Sequence, residues 1–259
     1  MAKASYVGMG LHQQLGFSRL MLRIPRAEAL FWPGCALLNL DGEILEKTLA
    51  VLRRAEPEIQ LACGCCGQPT VYLFPDQAEK RQKKLVSLLK NRGVRRIYTA
   101  CPNCTLQLRQ LEGLEIISIW PVLADHIRKE DIEVAEGQFI WHDPCPTRKD
   151  PAQQEAARIL LEKSGCDCCQ PEYTGCKTKC CGNFHMMAAS DPEKSRKMRL
   201  ARLAEFPEEK IIASSCEGCL GAFRSEGRTA CHLLEILFGR SLSRGWGNRI
   251  KTTIKRHLV

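Results

Sequence analysis

Short apolar runs and longer amphipathic stretches alternate along the chain. The apolar runs predict buried strands, at residues 29–32, 60–62, 96–100, 139–141 and 210–214. The amphipathic stretches carry apolar residues at helical spacing and predict helices, at residues 44–55, 76–91, 122–128, 153–163, 191–205 and 231–238. Asp76 and Asp191 stand at the start of two of these helices, where an aspartate side chain can serve as the N-cap. Strands that alternate with helices predict an α/β fold with parallel sheets.

The pattern occurs twice, at an offset of 115 residues from the Cys-Cys-Gly triplets onward and of 110 residues for the lone cysteines before them. Without a gap, the offset of 115 residues places the Cys-Cys-Gly triplet at 65–67 on the triplet at 180–182, and the Cys-x-x-Cys unit at 101–104 on that at 216–219. A fixed internal period indicates duplication. We therefore predict two pseudo-symmetric repeats of β-α-β-α-β-α order, each a small parallel sheet flanked by helices.

The repeats divide the chain of 259 residues into four parts. An N-terminal arm at 1–28 precedes the first repeat at 29–130, and a basic C-terminal tail at 240–259 follows the second repeat at 131–239. The net charge is +9, and basic residues are concentrated in the tail. A basic surface can dock an acidic partner. Aromatic residues make up only 6% of the chain and are not interleaved with the basic ones, which argues against nucleic-acid binding by base stacking.

Ten of the 16 cysteines fall into two sets with the same internal order: a lone cysteine, a Cys-Cys-Gly triplet and a Cys-x-x-Cys unit. The first set is Cys35, Cys65, Cys66, Cys101 and Cys104, and the second set is Cys145, Cys180, Cys181, Cys216 and Cys219. Several of these cysteines lie just past predicted strands. We therefore expect both sets at the carboxyl edge of a sheet, where open α/β sheets bind ligands.

Five thiolates exceed the four ligands that a single tetrahedral zinc ion takes. They suit a polynuclear iron–sulfur cluster, in which several irons share the sulfur ligands. Spacing alone leaves zinc, disulfides and free thiols as alternatives. The first 25 residues lack the order of a signal peptide, and no stretch approaches the roughly 18 apolar residues of a membrane span. We therefore expect a cytoplasmic protein whose thiols stay reduced.

The order of the cysteines resembles the tandem CCG-domain family, which includes the CCG-domain subunit of heterodisulfide reductase and the iron–sulfur subunits of glycolate and lactate oxidation. The resemblance covers residues 29–238. Residues 142–145, His-Asp-Pro-Cys, are similar to a segment of that family. Residues 232–237 are similar to its closing H-x-x-E-L-L helix, and the first repeat lacks this match.

The resemblance implies a noncubane [4Fe-4S] cluster at each set of cysteines, with zinc in the first repeat as an alternative. It implies an oxidoreductase subunit that reduces a disulfide or passes electrons within a larger complex, with a small disulfide or thiol as its substrate. One alternative is an electron-transfer subunit of a flavin-dependent glycolate- or lactate-type dehydrogenase. Another is a zinc-stabilised binding module without redox activity.

The chain has neither a C-x2-C-x2-C-x3-C ferredoxin run nor a Gly-x-Gly-x-x-Gly fingerprint. We therefore expect a ferredoxin-like or flavin partner subunit to exchange electrons with it.

Several single residues are further candidates. His185 follows Cys181 closely and could act as a general acid toward a leaving thiolate, or be a structural histidine. Four cysteines outside the two sets could bind an additional metal, act as a redox dithiol or simply pack: Cys166, Cys168, Cys169 and Cys176. Cys231 is expected to open the last predicted helix as a core residue.

Overall fold

The computed structural model describes residues 2–133 and 135–255, with side chains from residue 6 onward. The chain forms two compact units. The first unit contains the residues up to 119 together with those from 242 onward, and the second unit contains residues 120–241.

The first unit is built on a parallel four-stranded sheet of order β2-β1-β3-β4. Its strands are β1 (Ala29–Trp32), β2 (Gln60–Leu61), β3 (Arg96–Thr99) and β4 (Glu115–Ser118). Its helices are α1 (Ala2–Gly16), α2 (Gly42–Leu52), α3 (Gln68–Leu73), α4 (Pro75–Asn91) and α5 (Pro102–Leu108). Every residue of β1 is buried, because both faces of a parallel sheet are covered.

The second unit repeats this architecture, with a parallel sheet of order β6-β5-β7-β8. Its strands are β5 (Gln138–Trp141), β6 (Asp167–Cys169), β7 (Ile211–Ser214) and β8 (Ala230–His232). Its helices are α7 (Pro151–Ser164), α8 (Met187–Ser190), α9 (Pro192–Leu203), α10 (Glu217–Arg224) and α11 (Leu233–Phe238). The predicted α/β fold with two repeats and parallel sheets is confirmed.

Helix α6 (Ile119–His126) starts at the last residue of the first unit and continues into the second. The segment from 240 onward, expected as a tail, contains helix α12 (Trp246–Lys255), which packs on α2 in the first unit. Helix α1 of the N-terminal arm packs on α3, where the Tyr6 hydroxyl donates to the carbonyl of Leu73. None of the described helices is long and apolar enough to cross a bilayer.

Each sheet has four strands, whereas the sequence pattern predicted three. The additional edge strands β4 and β8 obtain their order from backbone pairing with β3 and β7. Cys231 therefore lies within β8 and does not open a helix; α11 begins two residues later, at Leu233. Residues 167–169, where the sequence pattern predicted no strand, pair with β5 as the strand β6.

Of the two predicted N-caps, one is found in the structure and the other is not. Asp191 caps α9, since its carboxylate accepts from the backbone N–H of Lys194. Asp76 is not a cap, because α4 already begins at Pro75, a residue whose fixed backbone angle suits the first helical position.

Candidate metal centres

In the first unit the five cysteines of the first set converge past the carboxyl ends of the strands. Cys35 follows β1, and Cys101 follows β3 and directly precedes α5. Hydrogen bonds join the thiols in a fixed order, Cys35–Cys65–Cys66–Cys104–Cys101. We call these five thiols the first centre.

The second set forms the same arrangement in the second unit. Its thiols are joined in the order Cys145–Cys180–Cys181–Cys219–Cys216, with 3.8 Å between the sulfurs of Cys145 and Cys180. We call these five thiols the second centre. Each contact matches the contact between the corresponding cysteines of the first centre, so the duplication extends from the fold to the thiol geometry.

The backbone conformation explains why a glycine follows each Cys-Cys pair. Gly67 and Gly182 have backbone φ angles of 85° and 83°, in the left-handed region that glycine enters without steric cost. In this conformation each backbone N–H points at the first sulfur of its own triplet. The N–H of Gly67 lies 3.5 Å from Cys65 Sγ, and that of Gly182 lies 3.3 Å from Cys180 Sγ.

The first cysteine of each triplet, Cys65 and Cys180, has a lowered pKa because it accepts several hydrogen bonds. Hydrogen bonds from Cys35 and Cys66 lower the pKa of Cys65 well below its usual range. Hydrogen bonds from Cys145 and Cys181, with help from backbone N–H groups, lower the pKa of Cys180 to about 2. Each centre therefore holds one thiolate that is stabilised before any metal binds.

Several of the remaining thiols have raised pKa values, and a bound cation would allow them to ionise. Hydrogen bonding to a neighbouring thiol, together with burial, raises the pKa of Cys35, Cys104 and Cys219 well above the usual range. Five adjacent thiols cannot all ionise unless a cation compensates their charge. Metal ions bind thiolates and displace their protons, so this donor set fits a soft metal or an iron–sulfur group.

The N-terminal arm and the last helix complete the surroundings of the first centre. Gln13 is fully buried; its Nε2 donates to Cys65 Sγ across 3.3 Å, and its Oε1 accepts from the Thr70 hydroxyl. Arg249 is also buried, and its Nη1 lies 3.1 Å from Nε2 of His12. The sequence contains no motif around Gln13 or Arg249, so no local pattern predicts their place beside the thiols.

His142 occupies a buried position beside the second centre. One of its ring nitrogens and the sulfurs of Cys181 and Cys219 all lie within 4.8 Å of one another. Its Nδ1 accepts from Nε of Arg202 across 3.3 Å. Burial and the charge of Arg202 lower the pKa of His142 to about 3, so the ring is neutral.

Asp143 carries a buried carboxylate two residues before Cys145. Its buried carboxylate accepts from Trp141, from Arg158, from Thr174 and from the backbone N–H of Gly175. Burial alone would raise the pKa of Asp143, but these hydrogen bonds outweigh it and lower the pKa to about 2. The aspartate of the His-Asp-Pro-Cys segment therefore anchors residues 174–175.

The His-x-x-Glu segment at the end of the second repeat forms a helix cap. His232 Nδ1 accepts from the backbone N–H of Leu234, and the Glu235 carboxylate accepts from the backbone N–H of His232. Such reciprocal bonds satisfy the free N–H groups at the start of a helix. The segment thereby fixes the start of α11.

His185 lies on the surface in an unusual backbone conformation. Its φ angle is 56°, that of Met186 is 59°, and its ring lies 3.9 Å from the ring of Phe184. Left-handed conformations cost a non-glycine residue about 1–2 kcal/mol. The backbone N–H of the preceding residue, Phe184, bonds to Cys180, which places this strained turn next to the second centre. Its role as a general acid stays a prediction.

The four additional cysteines lie on and around β6. The thiol of Cys168 hydrogen-bonds to that of Cys166, and Cys169 accepts from the ammonium group of Lys210 across 3.3 Å. Cys176 is exposed in a single turn of 3₁₀ helix at residues 175–177. Additional metal binding by these residues stays a prediction.

Comparison with models of protein families identifies the family of this chain. The model of the CCG cysteine-rich domain matches residues 29–109 and 139–224, more than half of the chain. The chain therefore belongs to the CCG cysteine-rich domain family, which supports metal or iron–sulfur binding by its cysteines. No curated protein matches the sequence.

Three solved structures show distant similarity to this chain. Glutamate racemase from Aquifex pyrophilus is 18% identical with a TM-score of 0.34, and the match covers 81% of this chain and 80% of the racemase. Glutamate racemase from Campylobacter jejuni subsp. jejuni is 12% identical with a TM-score of 0.37, covering 89% and 86%. Aspartate racemase from Picrophilus torridus is 9% identical with a TM-score of 0.34, covering 87% and 100%. TM-scores this low carry no argument about function.

Proposed function

We propose that the protein is an iron–sulfur redox subunit similar to the CCG-domain subunit of heterodisulfide reductase. Each centre would hold one [4Fe-4S] cluster of the noncubane kind, and the protein would reduce a small disulfide within a larger cytoplasmic complex. The observation that carries the proposal is the identical order of thiol contacts in the two centres. A zinc site needs four ligands, and neither centre has lost its fifth.

The residues of each centre have defined tasks in this proposal. The five sulfurs would bind the irons, and the N–H groups of Gly67 and Gly182 would donate to the thiolates of Cys65 and Cys180. A bound iron–sulfur cluster supplies one-electron transfer. His185 is the candidate proton donor on the second unit.

Reduction of the disulfide needs a source of electrons and a source of protons. Two electrons and two protons convert one disulfide into two thiols, and the sulfur–sulfur bond is the bond that breaks. The electrons would come from a ferredoxin-like or flavin partner subunit. The protons would come from water, or from His185 for the leaving thiolate.

Iron and sulfide content after anaerobic reconstitution tests the cofactor. We expect iron and sulfide at both centres, and loss of about half of each in Cys101→Ser and in Cys216→Ser. Cys176→Ser is the matched control, because Cys176 is exposed and outside both sets. A protein that takes up zinc but no iron would contradict the proposal and support the binding module.

Addition of a substrate analogue tests the reaction. A small disulfide or thiol should change the electron paramagnetic resonance spectrum of the reconstituted protein if the clusters bind it. Clusters that are present but insensitive to thiols and disulfides would favour an electron-transfer subunit of a dehydrogenase instead.

A further inference from the structure

His142 carries a buried nitrogen that the fold leaves without a hydrogen bond. The residue is 0% exposed, and its Nε2 makes no hydrogen bond among the described residues. A buried polar group without a partner costs about 1–3 kcal/mol. A ring nitrogen of His142 also belongs to the group with Cys181 and Cys219 in which all ligand atoms lie within 4.8 Å. The unpaired nitrogen is therefore in the immediate neighbourhood of the second centre.

Arg202 determines which ring nitrogen carries the proton. Its Nε lies 3.3 Å from Nδ1 of His142, and a guanidinium group can donate hydrogen bonds but cannot accept them. Nδ1 must therefore act as an acceptor, so the proton of the neutral ring is on Nε2. Arg202 is itself fixed, because it is fully buried, is paired with Glu205 and stacks on the ring of Phe206.

This tautomer decides what His142 can do for the second centre. A histidine binds metal through an unprotonated ring nitrogen. Nδ1 is occupied by Arg202, and Nε2 carries the proton. His142 therefore has the position of a sixth ligand but the chemistry of a hydrogen-bond donor.

The first centre carries a different side chain at the same place, although the indole N–H of Trp32 is also buried without a hydrogen-bond partner among the described residues. Both His142 and Trp32 stand three residues before the lone cysteine of their repeat, and the indole of Trp32 can neither ligate nor accept a bond from an arginine. The residue that corresponds to Arg202 at the offset of 115 is Ser87. In the first centre, Gln13 donates a side-chain hydrogen bond to the sulfur of Cys65.

We propose that His142 is a positioning residue of the second centre, held by Arg202 as the Nε2–H tautomer, and that in the loaded centre this N–H group donates a hydrogen bond to the sulfurs on the Cys181 and Cys219 side and does not bind the metal. The inference rests on the proposed function for its effect on redox chemistry. A donor to sulfur stabilises the more negative, reduced state of a cluster, so His142 raises the reduction potential of the second centre.

The tautomer is tested in the protein without metal. Nitrogen-15 and proton correlation spectra of the imidazole rings, assigned with His142→Phe, should show the proton of His142 on Nε2. In Arg202→Leu the proton should redistribute between the two nitrogens. A wild-type ring protonated on Nδ1 would overturn the inference, whatever the protein binds.

The hydrogen bond is tested by redox titration of the reconstituted protein, followed by electron paramagnetic resonance. His142→Phe should shift one cluster transition to more negative potential and leave the other unchanged. His142→Gln, which keeps an N–H donor, should shift it less. Gln13→Leu is the matched control and should move only the other transition.

Three further outcomes would decide the matter. Unchanged transitions in His142→Phe would overturn the inference. Loss of one centre's iron in both His142→Phe and His142→Gln would show that His142 is a ligand, which also overturns it. Wild-type protein without iron would refute the proposed function, while the tautomer experiment would still judge the role of Arg202 and His142. If His142→Phe does not fold, the glutamine variant carries the redox test.

Discussion

The side-chain amide of Gln13 donates a hydrogen bond to the sulfur of Cys65 across 3.3 Å, although the two residues are 52 positions apart in the chain. The same amide group accepts from the Thr70 hydroxyl, which in turn accepts from Arg81. An arm residue thereby joins the first centre to the helices that follow its Cys-Cys-Gly triplet.

Replacing Gln13 should destabilise the first unit. Gln13→Leu leaves the buried hydroxyl of Thr70 without its acceptor, which costs about 1–3 kcal/mol. Urea unfolding of the metal-free protein measures this loss. The adjacent Gln14 is exposed, so Gln14→Leu is the matched control and should change the free energy of unfolding little. Equal effects of the two variants would contradict a structural role for the buried amide.

The two triplet glycines should differ in their tolerance of alanine. Both have positive φ angles, so a Cβ costs about 1–2 kcal/mol at either position. At Gly182 the Cβ would also lie 2.1 Å from the backbone oxygen of Ser195, and overpacking adds about 1–3 kcal/mol. At Gly67 the nearest atom is in the ring of Phe17, at 3.4 Å. Urea unfolding should therefore show a larger loss for Gly182→Ala than for Gly67→Ala, and the reverse order would refute this packing argument.

Removing the charge of Asp143 should loosen the segment that precedes Cys180. Asp143→Asn weakens the hydrogen bonds from Arg158, Thr174 and Gly175, and hydrogen bonds to a charged group contribute about 1.5–3 kcal/mol. We expect lower stability and faster tryptic cleavage after Lys177. Asp167→Asn, at an exposed position of β6, is the control. Cleavage at the wild-type rate in Asp143→Asn would show that the carboxylate does not hold this segment.

Cys166 should react as a thiolate at neutral pH. The hydrogen bond from Cys168 is the main reason that the pKa of Cys166 is lowered to about 6. A thiol with a lowered pKa is ionised above that value, so its alkylation by iodoacetamide should rise through pH 6 and level off above it. Mass spectrometry of the labelled peptide measures the rate.

The cause of this shift can be separated from general exposure. Cys168→Ala removes the donor and should move the alkylation midpoint of Cys166 to higher pH. Cys176→Ala changes an exposed cysteine that is outside this pair and should leave the midpoint in place. A midpoint that stays near pH 6 without Cys168 would mean that another group stabilises the thiolate.

Local sequence patterns predicted those strands and helices whose burial or periodicity is visible within a short window. The strand predicted at 29–32 is β1, and the helix predicted at 153–163 lies within α7, because continuous burial and helical periodicity are visible in a short window. The edge strands β4 and β8 were missed. Their order comes from pairing with β3 and β7, so tertiary contacts override a weak local pattern.

The sequence by itself determined the duplication and the two sets of five cysteines, because these features follow from fixed spacing along one chain. Only the tertiary structure decided what surrounds the thiols. Gln13 reaches Cys65 from the arm, Arg249 of the last helix meets His12, and Arg202 selects the tautomer of His142 across 60 residues. Such contacts depend on the packing of elements that are distant in sequence, and the hydrogen-bonding chemistry of a buried nitrogen is defined only when its neighbours are in place.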